Sequence, residues 1–323
     1  MISDVVCPLA ETKILFATDL HGGDTYFLKI LSLAKSSKVN VVMMCGDLTG
    51  KAIVPIVKLN DDLYVTNFFN VDYRLKKDEL PKMEKEVRKV GYYYYHCSRA
   101  EYEEFRNKPD RLTELFDKVM QQTIENWLMK VDEILPKDVR VLMNPGNDDT
   151  FAIDEVLKKS NRVEYTLGKC VELDDKHSVV ACDWVNPTPW SSPRECKESE
   201  SENRLRTELA RASSTEHLVC DFHAPGYNTP LDLAPRLGKD LKPKYFMGQP
   251  IMDHVGSTAV RKVIEEFQPE LALHGHIHES PGVCNLKRTV CINPGSEYVE
   301  GIMHGCFVTL KPDGLEHQLI SGG

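Results

Sequence analysis

The first fifty residues alternate between short apolar runs and one amphipathic stretch. Residues 13–18 hold the apolar run Ile14 to Ala17, and residues 40–45 hold another, Val41 to Cys45. Between them, Phe27, Leu28, Ile30, Leu31 and Ala34 recur at helical spacing over 24–36. A short unbroken apolar run reads as a strand covered on both faces. Strand, helix and strand in that order predict a crossover with parallel pairing. Residues 52–66 hold two shorter apolar runs, read as strands. From 77 to 135 the spacing becomes helical. One stripe runs Leu80, Met83, Val87, Val90, Tyr94, Ser98, Tyr102, Phe105, and a second runs Leu112, Leu115, Phe116, Val119, Ile124, Trp127, Leu128, Val131. Pro109 and Asp110 separate the stripes and Pro136 ends the second. The pattern predicts two long helices, a hairpin inserted over 72–135 between two core strands. Strand character returns over 163–173, 177–185, 217–222, 271–274, 289–293 and 305–310. Residues 186–200 read as a loop, with helices over 201–213 and 257–267.

The four tyrosines at 92–95 would circle a full helical turn, so some would face outward. Ordinary packing accounts for them. The sharper alternative is a homodimer contact through the insertion, or a wall of a substrate pocket.

Composition narrows the class. The chain has 323 residues with 41% hydrophobic and 28% charged, enough for a single large α/β domain with an insertion. A net charge of −9 disfavours broad affinity for nucleic acid or anionic membranes. No apolar run approaches a membrane span. The first thirteen residues lack the basic head and apolar stretch of a secretion leader. Ten cysteines without a CxxC pair, three of them (Cys45, Cys220, Cys291) inside strand-like runs, read as buried reduced thiols of a cytoplasmic protein.

The polar residues that end the apolar runs change the picture. Strand 13–18 ends in Asp19 and His21, and strand 40–45 in Gly46-Asp47. Strand 139–143 ends in Gly146-Asn147-Asp148-Asp149, strand 217–222 in His223, and strand 271–274 in Gly275-His276 and His278. Ligands of open α/β sheets bind beyond the carboxyl ends of the strands. Imidazole nitrogens suit zinc, iron or manganese, and carboxylate and amide oxygens suit harder cations. Seven such side chains exceed the needs of one metal and match two that share a carboxylate roughly 3.5–4 Å apart. Gly46, Gly146 and Gly275 read as sharp turns beside the metals.

This ordered series resembles the calcineurin-like metallophosphoesterase superfamily over most of the chain outside 51–138. Further stretches, Pro187 to Trp190, His223 to Pro225, His274 to Ser280 and Asn293 to Tyr298, resemble a bacterial branch of predicted phosphoesterases without a settled substrate. The branch carries GNDD where the superfamily has GNH followed by an acidic residue. The resemblance implies a four-layer αββα sandwich and two divalent metal ions (manganese, iron or zinc). One would take Asp19, His21, Asp47 and His278. The other would take Asp47, Asn147, His223 and His276, with Asp47 bridging. Asp149 matches a supporting acidic position, and Asp148 stands where the family's histidine serves the leaving group. His274 reads as a packing residue. His254, near a helix start, is a candidate phosphate contact. Asn147, Asp148 and His254 are therefore the candidate catalytic residues beside the ligands.

The reading is hydrolysis of a phosphodiester or pyrophosphate-type bond in a small substrate, by a hydroxide bridging the two metals. Residues 72–135 and 186–200 would supply substrate choice. The rivals are a protein-assembly scaffold that keeps the fold without catalysis, and a nuclease, which the acidic balance disfavours. Metal content and turnover of an aryl phosphodiester separate them.

Overall fold

A computed structural model describes residues 11–322, so the expectation about a secretion leader, which rests on residues 1–10, lies largely outside the described residues. The chain begins β1 (Thr12–Ala17), α1 (Asp24–Ser37), β2 (Val41–Cys45). It continues β3 (Ile53–Lys58), β4 (Leu63–Phe68), β5 (Val71–Lys76), α2 (Leu80–Lys89), β6 (Tyr93–Ser98), α3 (Arg99–Asn107) and α4 (Pro109–Ile134). Then come β7 (Arg140–Asn144), α5 (Asp154–Lys159), β8 (Val171–Glu172), β9 (Ser178–Cys182), α6 (Glu198–Leu209) and β10 (Leu218–Phe222). Short strands β11 (Leu233–Pro235), β12 (Tyr245–Phe246), β13 (Gln249–Pro250) and β14 (Met252–His254) precede α7 (Thr258–Phe267). The chain closes with β15 (Leu271–Leu273), β16 (Gly282–Leu286), β17 (Thr289–Asn293), β18 (Met303–Lys311) and β19 (Gly314–Gly322).

Two sheets stack face to face. One has the order β19-β18-β1-β2-β7, the other β16-β17-β15-β10-β9-β8. Strand alternation sorts the side chains. Ile14 and Phe16 of β1, Val41 and Met43 of β2 and Leu142 of β7 point between the sheets. There they meet Val179, Val219, Leu271, Leu273 and Ile292 of the second sheet. Leu15, Ala17, Val42 and Met44 point outward onto α1 and α4. Cys220 and Ala272 face α6 and α7 through Leu205, Val260, Val263 and Ile264. The layers are therefore helix, sheet, sheet, helix, and the central strands are covered on both faces, which explains their unbroken apolar runs. β1, β2 and β7 pair in parallel, as do β9, β10, β15 and β17.

Residues 72–135 are not the helical hairpin that the spacing predicts. They include strands β5 and β6 as well as α2, α3 and α4. β6 pairs in parallel with β3, from Ile53↔Tyr93 to Lys58↔Ser98, in a separate sheet of order β5-β4-β3-β6 with its own small core. Tyrosines suit a strand as well as a helix. Gly91, at φ +77, follows the end of α2 in a conformation that glycine adopts freely. Nor is α4 separate from the main core. Its Met120, Ile124, Trp127 and Val131 are buried in the outer helical layer, and Trp127 stacks on Phe27 of α1 with ring centroids 4.3 Å apart. Residues 163–173 also depart from the expected strand: they hold an isolated bridge between Leu142 and Glu164 and the two-residue β8. Among the described residues no helix is long and apolar enough to cross a membrane, and the described cysteines are free.

Candidate metal centre

The parallel strands of both sheets deliver their polar ends to one edge of the sandwich. Asp19 and His21 follow β1, Asp47 follows β2, Asn147 follows β7, His223 follows β10, and His276 and His278 follow β15. Loop-to-loop backbone bonds hold these ends together: Asp19 N donates to Gly46 O (3.0 Å), His21 N to Asp47 O (2.8 Å) and Gly275 N to His223 O (2.9 Å). Asp19, His21, Asp47 and His276 all sit at positive φ (+53, +44, +39 and +66). Such backbone costs on the order of 1–3 kcal/mol per residue and persists where the surroundings over-determine it, typically at functional sites. The left-handed turns thus fall on the candidate ligands as well as on Gly46. Gly146 and Gly275 serve close approach instead, because a Cβ there would collide with Asp47 and with Thr18 and Asp19.

The side chains form two clusters. Asp19, His21 and His278 bring one donor atom each within 4.8 Å of one another, and so do Asp47, His223 and His276. Asp47 also groups with His21 and Asp148, which joins the clusters. His21 Nε2 lies 3.1 Å from His278 Nε2, and His278 Nε2 lies 3.3 Å from Asp19 Oδ1. His223 Nε2 is 3.5 Å from Asp47 Oδ1, and His21 Nε2 is 3.7 Å from Asp47 Oδ2.

Asn147 is oriented by its neighbours. Its Nδ2 donates to Asp148 Oδ1 and to Ser192 Oγ, both at 2.8 Å. Its buried Oδ1 then has no hydrogen-bond partner among the described residues, and neither ring nitrogen of His223 has one. Buried acceptors are rarely left unpaired. An unpaired amide oxygen and unpaired imidazole nitrogens among carboxylates fit divalent cations as their missing partners.

Electrostatics agree. Burial and the Lys51 ammonium push His21 well below its usual pKa, and burial with His223 brings His276 down to about 4, so both rings are neutral donors. His223 behaves oppositely. Burial lowers it, but Asp47 and Asp19 outweigh that and raise it to about 9. Without a cation, a proton on His223 offsets the buried carboxylates; a metal would displace that proton. Burial opposes ionisation of Asp19 and Asp47, yet the histidines around them hold both below the usual carboxylate range.

The residues around the clusters have separate tasks. Asp149, fully buried, accepts from Leu48 N (2.9 Å), Thr49 N (2.8 Å), Gly146 N (2.9 Å) and the Thr49 hydroxyl, clamping the turn after β2 to the turn after β7. Asp149→Ala strands three buried N–H groups and is expected to cost about 3 kcal/mol in the metal-free protein. Urea unfolding of both proteins measures this, and an unchanged midpoint would refute the clamp. His274 donates Nδ1–H to Phe222 O (2.7 Å) and is buried, which is a packing position.

Asp148 lies at the mouth of the site, its Oδ2 2.7 Å from Lys51 Nζ. Burial and Asp47 push it up to about 6, against the pull of Lys51. Lys51 is absent from the motif pattern, since a lone lysine in a loop carries no spacing signal. So are Tyr298, whose ring packs 4.5 Å from that of His21, and Arg194, which donates to Asp149 O and pairs with Asp154 and Asp183.

A cleft of about 1130 Å³ opens over the clusters. Its lining includes Asn147, Asp148, Lys51, Trp190, Arg236 and His254. His254 is oriented by Asp232, with Nδ1 2.7 Å from Oδ1. The expected anion site at the neighbouring helix start is already filled: Glu198 accepts from Thr258 N, Ala259 N and the Ser257 hydroxyl. His254 thus faces the cleft without that helix terminus.

Comparison with known proteins follows the same lines. The family model for calcineurin-like phosphoesterase matches residues 12–280. An uncharacterized protein of Methanocaldococcus jannaschii is 31% identical over 158 residues, which are 48% of this chain and 64% of that protein, so the match spans less than two thirds of the relative. One solved crystal structure superposes with a TM-score of 0.59 at 15% identity, covering 97% of this chain and 100% of the other, a likeness of fold. A crystal structure from Thermus thermophilus gives a TM-score of 0.48 at 12% identity over 96% and 99% of the two chains.

Proposed function

The chain belongs to the calcineurin-like phosphoesterase family, and from that premise we propose that it hydrolyses a phosphodiester or pyrophosphate-type bond with two divalent cations. One cation would be held by Asp19, His21, Asp47 and His278, the other by Asp47, Asn147, His223 and His276. The observation that carries this reading is the pair of donor clusters joined at Asp47, with the unpaired Asn147 Oδ1 and His223 Nε2 between them. Two such cations, when bound, lower the pKa of a shared water and neutralise charge on the phosphate oxygens.

The chain's own residues prepare that chemistry. Glu195 accepts from Ser192 Oγ (2.6 Å), and Ser192 Oγ accepts from Asn147, so a chain of hydrogen bonds aims the amide oxygen inward. Asp148 N donates to Asp47 Oδ1 (2.8 Å) and fixes the shared carboxylate. Lys51 places an ammonium beside the position from which a leaving group departs. It stabilises charge there rather than supplying a proton, because Asp148 and Asp47 offset its burial and keep it protonated. Trp190 on the cleft wall offers a flat apolar surface to the remainder of the substrate, whereas Arg236 is already paired with both oxygens of Asp253 (2.7 and 2.6 Å).

The test is metal analysis of protein purified without added metal, followed by turnover of an aryl phosphodiester and of a panel of nucleotide, pyrophosphate and lipid head-group esters with manganese. Two equivalents of metal and turnover of a diester are expected. A folded protein with no bound metal and no turnover would replace this reading by a non-catalytic scaffold.

A further inference from the structure

A second group of donors lies at the opposite end of the strands. His177 immediately precedes β9, His217 precedes β10 and Glu270 precedes β15, three neighbours in the second sheet. The ladder fixes their backbones: Ser178 N donates to His217 O (3.3 Å) and Glu270 N to Leu218 O (3.0 Å). One donor atom from each lies within 4.8 Å of the others. His217 Nδ1 is 3.1 Å from Glu270 Oε2, and His177 Nε2 is 3.5 Å from the same oxygen.

His177 is the informative member. Its side chain is 3% exposed. Its Nδ1 faces Asp174, at 2.8 and 2.9 Å from the two carboxylate oxygens. Asp174 is itself pinned by the Thr12 hydroxyl (2.6 Å), Lys176 N (2.9 Å) and His177 N (2.8 Å). A carboxylate on one ring nitrogen sets the tautomer and turns the other nitrogen into a stronger donor. That other nitrogen, Nε2, is buried and has no well-formed hydrogen bond. It points into the gap shared with His217 and Glu270.

We propose that His177, His217 and Glu270 form a site for a zinc-class divalent cation that ties together the amino ends of β9, β10 and β15. Two imidazoles and one carboxylate suit such an ion. Ligands around a tetrahedral zinc lie about 3.3 Å apart, close to the separations from Glu270. His217, with a side chain 27% exposed, leaves the fourth position to water. β9 and β10 are five residues long, so this site stands roughly 17 Å from the catalytic edge. None of its residues lines the cleft. The proposal does not rest on the phosphoesterase reading.

The experiment compares the full chain with His217→Ala and with the isosteric Glu270→Gln. Each protein is equilibrated with zinc, freed of excess, and analysed for bound metal and for thermal unfolding. The wild type is expected to hold one equivalent more than either variant. Zinc should raise its midpoint by more than theirs, while turnover with manganese stays unchanged. Cobalt substitution should add a visible tetrahedral band that both variants lack. Equal metal content and equal thermal shifts in all three proteins would overturn the proposal and leave the cluster a hydrogen-bonded knot. If His217→Ala does not fold, Glu270→Gln decides the question alone.

Discussion

Asp47→Asn is expected to empty the proposed metal centre and lower kcat/KM by on the order of 10³-fold or more, since bound metals would supply both the nucleophile and the charge stabilisation. Asp47 is the side chain that links the two clusters. It stands 3.7 Å from His21 Nε2 through Oδ2 and 3.5 Å from His223 Nε2 through Oδ1. The amide keeps the shape but removes the negative charge that both cations would share, and it turns one oxygen into a donor. Folding should survive, because the Asp149 clamp and the strand ladders do not involve the Asp47 side chain. Metal analysis and aryl diester turnover, with circular dichroism as the control, measure the effect. Two retained metals at near-normal rates would show that the ligand assignment is wrong.

The second large effect concerns leaving groups. The family's histidine is replaced here by Asp148, which is paired with Lys51. Two cations beside a carboxyl would hold it below its usual range. The structure adds a counter-effect, burial together with Asp47, which raises it to about 6. Both place it below pH 7, and bound cations carry it further down. With cations bound, Asp148 would be ionised at neutral pH and a poor proton donor. A general acid is worth roughly 10²–10⁴ in rate, and esters with poor leaving groups lose that factor. Rates should therefore fall steeply as the leaving-group pKa rises, with aryl oxides and pyrophosphates favoured over alkyl esters. Asp148→His should flatten the slope by rescuing alkyl esters most. Lys51→Met should slow the aryl substrates by roughly 10²-fold, as the loss of one oriented donor does. The measurement is kcat/KM across a graded series of phosphodiesters for the three proteins. A shallow slope in the unmodified enzyme would mean that another group, His254 among them, already protonates the leaving group.

Much of this protein is set locally. Strands buried on both faces must be apolar along their length and can end only in residues that tolerate a polar edge. The runs 13–18, 40–45 and 139–143 and the Asp, Asn and His residues after them are therefore visible without a structure. Their order along the chain points to the family, and the sandwich brings the seven residues to one edge. What sequence spacing leaves open depends on pairing between distant segments. The tyrosines at 92–95 fit a helix or a strand equally well, and the ladder with β3, some forty residues earlier, places Tyr93, Tyr94 and Tyr95 in β6. His254 beside a helix start suggests an anion site until Glu198, from another part of the chain, is found occupying that start. Lys51 meets Asp148 across ninety-seven positions, and His177, His217 and Glu270 meet only because three parallel strands begin side by side. Local pattern thus determined which residues could end the strands. The tertiary fold decided which charges face one another there, because burial and distance, the quantities that set their chemistry, exist only once the sheets have formed.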